Sequence, residues 1–458
     1  MELTFLGAVR QVTGSCFVLK AAGLKMMVDC GLFQERCCLA RNWDLTDITA
    51  NEIDYLLLTH AHLDHSGRIP RLVSQGYRNP IIATEATADL TKIVLEDAAR
   101  LQTEDTEFKK ERHKREGRTG PHPVVPLYTE EDVEMVLPLI QRKPYGTPVH
   151  LSDKVTIQFH DAGHILGSSI LDISVWTGEK PQRILFSGDL GQWDRPLVRD
   201  PSIFEQADYI VLESTYGDRD HEVTGDVKDQ LAQVINDTVE RGGNIVIPTF
   251  AIERAQELMY HLSELVREDR IPHLMVFLDS PMAVNVTRVF EKHLDLLDKD
   301  TAAKYRQGEP PFEFPGLKLV RHAGESKAVN RIKGSCIIMA GSGMCTGGRI
   351  KHHLSKNIIR PESTILFVGY QSRETLGRQI LDGEPEVRIH GQMHPVRARI
   401  AQIHGLSAHA DRTALLRWLS YFKTPPKCLY MVHGEEEAAL AFADQVRKQT
   451  GWNVAVPA

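Results

Sequence analysis

Four residues in one short run carry the most specific chemistry in this sequence. They are His60, His62, Asp64 and His65, in the run His60-Ala61-His62-Leu63-Asp64-His65. Three imidazoles and a carboxylate this close together offer nitrogen and oxygen donors to two neighbouring cations, and zinc accepts that mixture of ligands. The run therefore predicts a zinc site, in preference to a cluster of histidines on the surface.

The run holds too few ligands to close two metal sites, so further ligands must come from elsewhere. His164, Asp189 and His433 are the candidates, because each follows a predicted strand and has a glycine beside it. Glycine lets a loop approach a ligand closely, and loops at strand ends often carry functional residues. Their repeated position favours one shared site.

Apolar strands must position these residues. Strands are predicted at residues 55–59, 155–159, 184–186 and 428–432, each directly before one of the candidate ligands or the histidine run. The chain begins with a predicted antiparallel meander at 3–9, 15–21 and 24–28, and the apolar periodicity predicts a helix from 85 to about 102. Further strands are predicted at 80–83 and 169–175.

A second pattern starts beyond residue 207. Predicted strands at 209–212, 244–247, 274–278, 335–339 and 364–368 alternate with helical segments, as in a mostly parallel sheet covered by helices. Residues 409–458 return to a helix, a strand and a helix with ligand-type residues. We therefore expect the α/β segment to be inserted into the first domain.

The composition is that of a globular protein, and the length favours two domains. The 458 residues are 42% hydrophobic and 25% charged, and no apolar run is long enough for a membrane span. The first residues show neither the basic region nor the apolar region of a signal peptide, so a cytoplasmic enzyme is expected. Seven cysteines without a CxxC pair favour reduced thiols over disulfides or a thiolate zinc site.

The net charge of −7 does not indicate a nucleic-acid-binding protein, yet it does not exclude one. An enzyme needs only a local positive groove, and carboxylates that bind cations inflate the negative count. The basic run at 109–118 is interpreted as a solvated helix end, with RNA binding as the alternative.

The ordered motifs resemble those of the metallo-β-lactamase superfamily, and within it the β-CASP nucleases. The superfamily motifs are the histidine run, the turn at Asp29-Cys30-Gly31, Gly163-His164, Gly188-Asp189 and His433-Gly434-Glu435. The β-CASP motifs are Glu213-Ser214-Thr215-Tyr216-Gly217, Asp279-Ser280-Pro281-Met282, Gly341-Ser342-Gly343-Met344 and Ser407-Ala408-His409-Ala410-Asp411. The match covers nearly the whole chain.

The resemblance implies an αββα sandwich of residues 1–212 and 408–458, with a Rossmann-like β-CASP domain of residues 213–407 inserted into it. It also implies two zinc ions per chain. The first zinc would be held by His60, His62, His164 and Asp189. The second would be held by Asp64, His65, His433 and the same Asp189, with Asp29 orienting a ligand imidazole.

The resemblance further implies a ribonuclease that uses a metal-bridging hydroxide. The catalytic residues would be Asp64, Glu213 and His409, with His409 protonating the leaving group and Glu213 paired with it. A histidine at 433 is typical of the members that process RNA. We expect the site in a cleft between the domains, which favours single-stranded RNA.

Arginines and a serine of the inserted segment are expected to grip phosphate. The candidates are Arg254, Arg349, Arg378 and Ser407. Glycines before Arg349 and Arg378 expose backbone N–H groups, and arginine makes bidentate contacts to phosphate.

Other functions remain open from the sequence. They are a DNA nuclease of the same fold, a small-molecule metallo-hydrolase and a non-catalytic RNA-binding subunit. Cleavage inside the strand or from its 5′ end, RNA sequence preference, native metal and oligomeric state are also open, with a homodimer as one alternative.

Overall fold

The computed structural model describes residues 1–35, 37–45, 48–117, 124–178, 180–222 and 225–458. Spatial contacts divide these residues into two compact units. Unit 1 comprises Met1–Asp194, Asp200–Asp220 and His409–Ala458, and unit 2 comprises Arg195–Arg199 and His221–Ala408. The boundaries predicted from the sequence, at 212/213 and 407/408, stay a prediction about domains.

The strands and helices of the first part of the chain all belong to unit 1. The strands are β1 (Glu2–Phe5), β2 (Phe17–Ala21), β3 (Leu24–Val28), β4 (Tyr55–Leu57), β5 (Ile81–Thr84), β6 (Ile140–Lys143), β7 (Val149–Ser152), β8 (Val155–Asp161), β9 (Ser169–Trp176), β10 (Pro181–Phe186) and β11 (Tyr209–Glu213). The helices are α1 (Leu63–Ser66), α2 (Ile69–Ser74), α3 (Glu85–Glu116) and α4 (Glu130–Val136).

Unit 2 alternates helices and strands. The helices are α5 (Val227–Glu240), α6 (Arg254–Arg267), α7 (Pro281–Lys292), α8 (Lys299–Arg306), α9 (Ala323–Val329), α10 (Ile350–Asn357) and α11 (Leu376–Leu381). The strands are β12 (Ile245–Pro248), β13 (Met275–Asp279), β14 (Leu317–Leu319), β15 (Cys336–Ala340), β16 (Thr364–Phe367), β17 (Glu386–Ile389), β18 (Gln392–Pro395) and β19 (Arg399–Gln402). The last segment adds α12 (Arg412–Ser420), β20 (Cys428–Val432), α13 (Glu436–Thr450) and β21 (Val454–Ala455) to unit 1.

Two sheets face each other inside unit 1. One has the order β1-β2-β3-β4-β5-β6, and the other has the order β21-β20-β11-β10-β9-β8-β7. Alternate strand residues point to opposite faces, so Val28 and Leu57 pack against Phe159 and Ile173 of the facing sheet. This inner layer is the core of the sandwich.

Helices cover both outer faces of the sandwich. Leu56 of the first sheet packs in one cluster with Leu72 of α2 and Leu95 of α3. Leu429 of the second sheet packs with Trp418 of α12 and, in the same cluster, Phe442 of α13. The αββα sandwich expected from the sequence is therefore confirmed.

Unit 2 is built on a parallel sheet with the order β14-β13-β15-β12-β16-β19. Its strands are all paired in parallel, and β17 and β18 form a separate hairpin. Val246, Ile338 and Ile365 of the sheet pack with Leu354 of α10 and Ile380 of α11. This is the Rossmann-like, inserted α/β architecture that the alternating pattern predicted.

The prediction that the helix after β5 ends near residue 102 was wrong. The helix α3 continues to Glu116 and ends where Gly117 adopts a φ of 62°. Apolar periodicity fades after 102, but the segment is rich in Glu, Lys and Arg, which favour helix. Ion pairs such as Lys110 with Glu107 at 2.8 Å add support.

The basic run interpreted as a helix end therefore forms the exposed end of α3 through Glu116, and Arg118 lies outside the described residues. In the part of the chain that the structure describes, no helix is both long enough and apolar enough to cross a membrane.

Candidate metal centre

Strand direction brings the predicted ligands to one edge of the second sheet. Strands β10, β11 and β20 are mutually parallel neighbours. Strand β8 is antiparallel to β9, which is antiparallel to β10, so β8 runs in the same direction as well. His164, Asp189 and His433 follow β8, β10 and β20, so they meet at the same carboxyl edge.

The histidine run comes from the facing sheet. It follows β4 at residue 60, and its second half forms the single turn α1, so that His60 and His65 are buried while His62 and Asp64 are half-buried. Gly31 makes this packing possible, because a Cβ atom there would lie 1.6 Å from the backbone oxygen of Asp64.

Four of the predicted ligands form a first ligand group: His60, His62, His164 and Asp189. His62 Nδ1 lies 3.1 Å from His60 Nε2 and 3.3 Å from His164 Nε2. Asp189 Oδ2 lies 3.4 Å from His60 Nε2 and 3.5 Å from His164 Nε2. Three ring nitrogens and one carboxylate oxygen thus converge on one point.

A second ligand group consists of Asp64, His65 and His433, with Asp189 shared between the groups. Asp189 Oδ1 lies 3.1 Å from His65 Nε2 and 3.5 Å from His433 Nε2. Asp64 Oδ2 is 3.5 Å from His433 Nε2. Each oxygen of Asp189 therefore faces a different ligand group.

An independent observation indicates that these residues fit a metal centre. Histidine nitrogens lie 3.1–3.5 Å from the carboxylate oxygens of Asp189, yet both oxygens are buried and neither makes a hydrogen bond with the described residues. A buried carboxylate left in that condition is costly unless a cation compensates it. The nitrogen and oxygen donors are those that zinc takes in hydrolytic sites.

Burial keeps the imidazoles of the first group neutral. Burial, with the neighbouring His65, lowers the pKa of His60 to about 3, and burial likewise holds the pKa of His164 well below its usual value. Neutral imidazole is the form that binds a metal. Burial also lowers the pKa of His65, but Asp189 and Asp29 outweigh it and raise that pKa well above the usual value.

Asp29 and Thr59 hold two imidazoles of the histidine run through their Nδ1 atoms. Asp29 Oδ2 is 2.7 Å from His65 Nδ1 and accepts a hydrogen bond from the Thr59 hydroxyl at 2.8 Å. Thr59 Oγ1 lies 3.2 Å from His60 Nδ1. Both imidazoles therefore turn Nδ1 to the protein and Nε2 to the ligand groups.

An acid–base pair lies against the ligand groups. His409 Nδ1 is 3.3 Å from Glu213 Oε1 and 3.9 Å from Asp189 Oδ2. The side chain of Glu213 is fully buried, and its Oε1 also accepts a hydrogen bond from the backbone N–H of Leu190 at 2.6 Å. Burial lowers the pKa of His409, but Glu213, helped by Asp189 and Asp64, raises it to about 9.

The four residues expected to grip phosphate lie in unit 2. Arg254 is buried at the start of α6 and donates to the Val368 carbonyl at 2.9 Å. Arg349 donates to Asp279 Oδ1 at 2.6 Å. Arg378 is exposed and pairs with Asp382 at 2.5 Å, while Ser407 is half-buried. Their role in binding phosphate stays a prediction.

Sequence reasoning missed the residues that orient the ligand imidazoles, and it missed a histidine that contacts Asp279, the partner of Arg349. Thr59 and Thr215 contact ligand imidazoles, and His353 donates to Asp279 with the nitrogen atom 2.6 Å away. A hydroxyl or a single histidine has no characteristic spacing. The available signal was position, since Thr59 directly precedes the histidine run and Thr215 lies inside the motif that begins at Glu213.

Three family models match successive parts of the chain. Residues 9–208 match the metallo-beta-lactamase superfamily, residues 255–380 match the Beta-Casp domain, and residues 393–457 match the Zn-dependent metallo-hydrolase RNA specificity domain.

Similar proteins extend this result over the whole chain. Ribonuclease TTHA0252 of Thermus thermophilus is 38% identical over 96% of this chain and 95% of its own. Transcription termination factor FttA of Methanocaldococcus jannaschii is 31% identical over 98% of this chain and 69% of its own. A crystal structure of a protein of unknown function from Enterococcus faecalis shares the fold, with a TM-score of 0.54 at 12% identity, covering 100% of this chain and 97% of that one.

Fold and site together define a metal-dependent hydrolase built on the αββα sandwich. The chain belongs to the metallo-β-lactamase superfamily and, within it, to the β-CASP ribonuclease branch. Its class is that of zinc-dependent, RNA-specific metallo-hydrolases.

Proposed function

We propose that this chain hydrolyses phosphodiester bonds of single-stranded RNA, with two zinc ions and with His409 as general acid. The observation that carries the proposal is the pairing of His409 with buried Glu213, directly beside Asp189. A metal centre alone would suit lactams, thioesters and diesters equally. A positioned acid beside it suits a reaction that expels a poor leaving group.

The two ligand groups supply one zinc site each. His60, His62, His164 and Asp189 would hold the first ion, and Asp64, His65, His433 and Asp189 would hold the second. Zinc bound there would activate water near neutral pH and neutralise charge that develops on the phosphoryl group. Asp64 is thus a catalytic residue through its place in the second group.

His409 has the geometry of a proton donor. Its Nδ1 faces Glu213 Oε1, so the proton for the leaving oxygen is carried on Nε2. The carboxylate of Glu213 favours the imidazolium, and cations bound at the ligand groups would lower the pKa of His409 from about 9 towards neutrality. A general acid works best when its pKa is near the working pH.

Similarity to known proteins supports RNA as the substrate. Residues 393–457, which contain both His409 and His433, match an RNA specificity domain, and a relative that is 38% identical is named a ribonuclease. Contacts to the phosphates would come from Arg254, Arg349, Arg378 and Ser407. Cleavage inside the strand and cleavage from the 5′ end are both compatible with this site.

The role of His409 is tested by changing the leaving group. His409→Ala should slow RNA cleavage by about 10²- to 10⁴-fold, the usual contribution of general acid catalysis. It should lose much less on a nitrophenyl phosphodiester, whose leaving group is stable as an anion and needs no proton. Rates are measured on both substrates with zinc content determined in the same samples.

Two variants serve as controls for this comparison. Glu213→Gln keeps a hydrogen bond but loses the charge, so it should show the same dependence on the leaving group in weaker form. His164→Ala removes a predicted ligand and should impair both substrates alike. Equal impairment of His409→Ala on both substrates, or loss of zinc, would show that His409 is not the acid.

A further inference from the structure

Thr215 connects the ends of two neighbouring strands at the metal centre. It follows β11 by two residues, and His433 directly follows β20, the parallel neighbour of β11. The backbone N–H of Ser214 donates to the His433 carbonyl at 3.2 Å. Gly434 keeps this crossing close, because a Cβ atom there would lie 2.5 Å from Ser214 Oγ.

Among the described residues, the Thr215 hydroxyl makes two polar contacts, and both are to His433. Its Oγ1 lies 3.0 Å from the backbone oxygen of His433 and 3.0 Å from Nδ1 of the same residue. A hydroxyl has one proton to donate and two lone pairs that accept. A carbonyl oxygen can only accept, so the proton of Thr215 goes to the carbonyl.

This arrangement fixes the proton of the His433 ring. Since Thr215 Oγ1 has already given its proton, it can only accept from Nδ1, which must then carry a hydrogen. A neutral imidazole has one N–H, so the lone pair lies on Nε2. His433 Nε2 is the atom that faces the second ligand group, 3.2 Å from His65 Nε2 and 3.5 Å from Asp64 Oδ2.

We propose that Thr215 is a positioning residue that sets the metal affinity of the second ligand group and leaves the first group unaffected. It holds the His433 ring in the tautomer and orientation that present Nε2 to the ion. The proposal rests on the proposed function only in requiring an ion at each ligand group, and it does not require that the substrate is RNA.

The effect is expected to be limited to His433, because other residues hold the other imidazoles. His65 Nδ1 contacts Asp29 at 2.7 Å, and His60 Nδ1 contacts Thr59 at 3.2 Å. Neither anchor involves Thr215. Removing the Thr215 hydroxyl therefore removes the contact at His433 Nδ1, while His60 and His65 keep their own partners at Nδ1.

The test compares Thr215→Val, which removes the hydroxyl at nearly constant shape, with Thr215→Ser, which keeps it. Thr91→Val is the control, because it removes a hydroxyl elsewhere in unit 1 that also makes a hydrogen bond within the protein, to the Thr87 carbonyl at 2.7 Å. The full-length protein is loaded with cadmium for cadmium-113 NMR, which gives one signal per metal site. Zinc affinity is measured by competition with a chelator.

Thr215→Val should weaken one of two metal sites by about 10- to 100-fold, the usual effect of losing a partner that orients a ligand. One cadmium signal should fade while the other stays. Thr215→Ser should restore both signals, and Thr91→Val should leave both unchanged. Unchanged metal binding in Thr215→Val, or equal weakening of both sites, would overturn the proposal.

A measurement on the wild-type protein keeps the proposal testable if Thr215→Val does not fold. In the zinc-loaded protein labelled at histidine nitrogens, Nδ1 of His433 should carry a slowly exchanging hydrogen, and it should do so in Thr215→Ser as well. A His433 ring with its hydrogen on Nε2 would contradict the proposal. Absence of RNA cleavage, with metal binding as described, would instead contradict only the proposed function.

Discussion

Asp189 is the residue on which the metal centre depends most. It follows β10 and turns Oδ2 to His60 and His164 and Oδ1 to His65 and His433. A carboxylate between two adjacent cations can give one oxygen to each. The two ligand groups therefore share one side chain, with one carboxylate oxygen facing each group.

Changing Asp189 to Ala should weaken the binding of both zinc ions. The wild-type protein should retain about two zinc equivalents after gentle dialysis, because each ligand group closes one site. Asp189→Ala removes a donor from both sites, so its zinc content should fall further than that of His62→Ala, which removes a donor from the first site alone. Zinc is measured by elemental analysis against protein concentration.

Two outcomes would count against the shared carboxylate. One is a wild-type protein with full nuclease activity and a single zinc equivalent. The other is an Asp189→Ala protein that keeps one tightly bound ion, as if Asp189 served only one ligand group. Circular dichroism of each variant separates loss of metal from loss of fold.

The metal ligands could be predicted from the sequence, but the residues that orient them could not. The histidine run is recognisable because four ligand-type residues share one short segment, and His164, Asp189 and His433 share a position after strands beside glycine. Thr59 and Thr215 have no such signature, since a threonine in or after a strand is ordinary. Only the three-dimensional structure shows that their hydroxyls reach ring nitrogens.

At the scale of elements, strands were predictable and helix length was not. The strands Leu24–Val28 and Cys428–Val432 coincide with their predicted ranges, because short apolar runs bounded by turn residues mark buried strands. The end of α3 was missed because its last turns are exposed and bury no periodic apolar face. Helix propensity and charge pairs extend it beyond the core.

Unit 2 contains a buried polar network at the ends of its own elements. Asp279, the last residue of β13, is fully buried and accepts hydrogen bonds from Arg349 and His353, each at 2.6 Å, and from Ser326 at 2.5 Å. Burial raises the pKa of Asp279, but these hydrogen bonds outweigh burial and hold the pKa below its usual value. The network fixes the guanidinium of Arg349.

Acid should weaken this network. Because the folded pKa of Asp279 lies below the unfolded value, its stabilising effect is complete above the unfolded pKa and is lost as the pH falls through the folded pKa. Asp279→Asn should therefore lower the free energy of unfolding by about 3 kcal/mol at neutral pH, the scale for breaking a buried ion pair. The difference from wild type should shrink below about pH 4.

Urea unfolding at a series of pH values measures this effect. Asp382→Asn is the matched control, because Asp382 pairs with Arg378 on the surface of the same unit, where ion pairs contribute little. A difference between Asp279→Asn and wild type that does not change with pH, or that equals the effect of Asp382→Asn, would contradict the role assigned to the network.

At the scale of the whole molecule, net charge was a poor guide to function. The formal charge is −7, yet the family assignment is to a ribonuclease branch. Part of the explanation lies in the metal centre, where Asp64 and Asp189 count as negative although cations would neutralise them. The order of the motifs along the chain was more informative, since it matches the order of the three family models.

Competition between RNA and DNA tests the central claim most directly. Single strands of equal sequence, one of RNA and one of DNA, each labelled at one end, are mixed with the zinc-loaded protein at a stated salt concentration, because affinity for nucleic acid depends strongly on salt. We expect the RNA strand to be cleaved faster and the cleavage to stop when zinc is removed by a chelator. Equal or faster cleavage of the DNA strand would contradict the account.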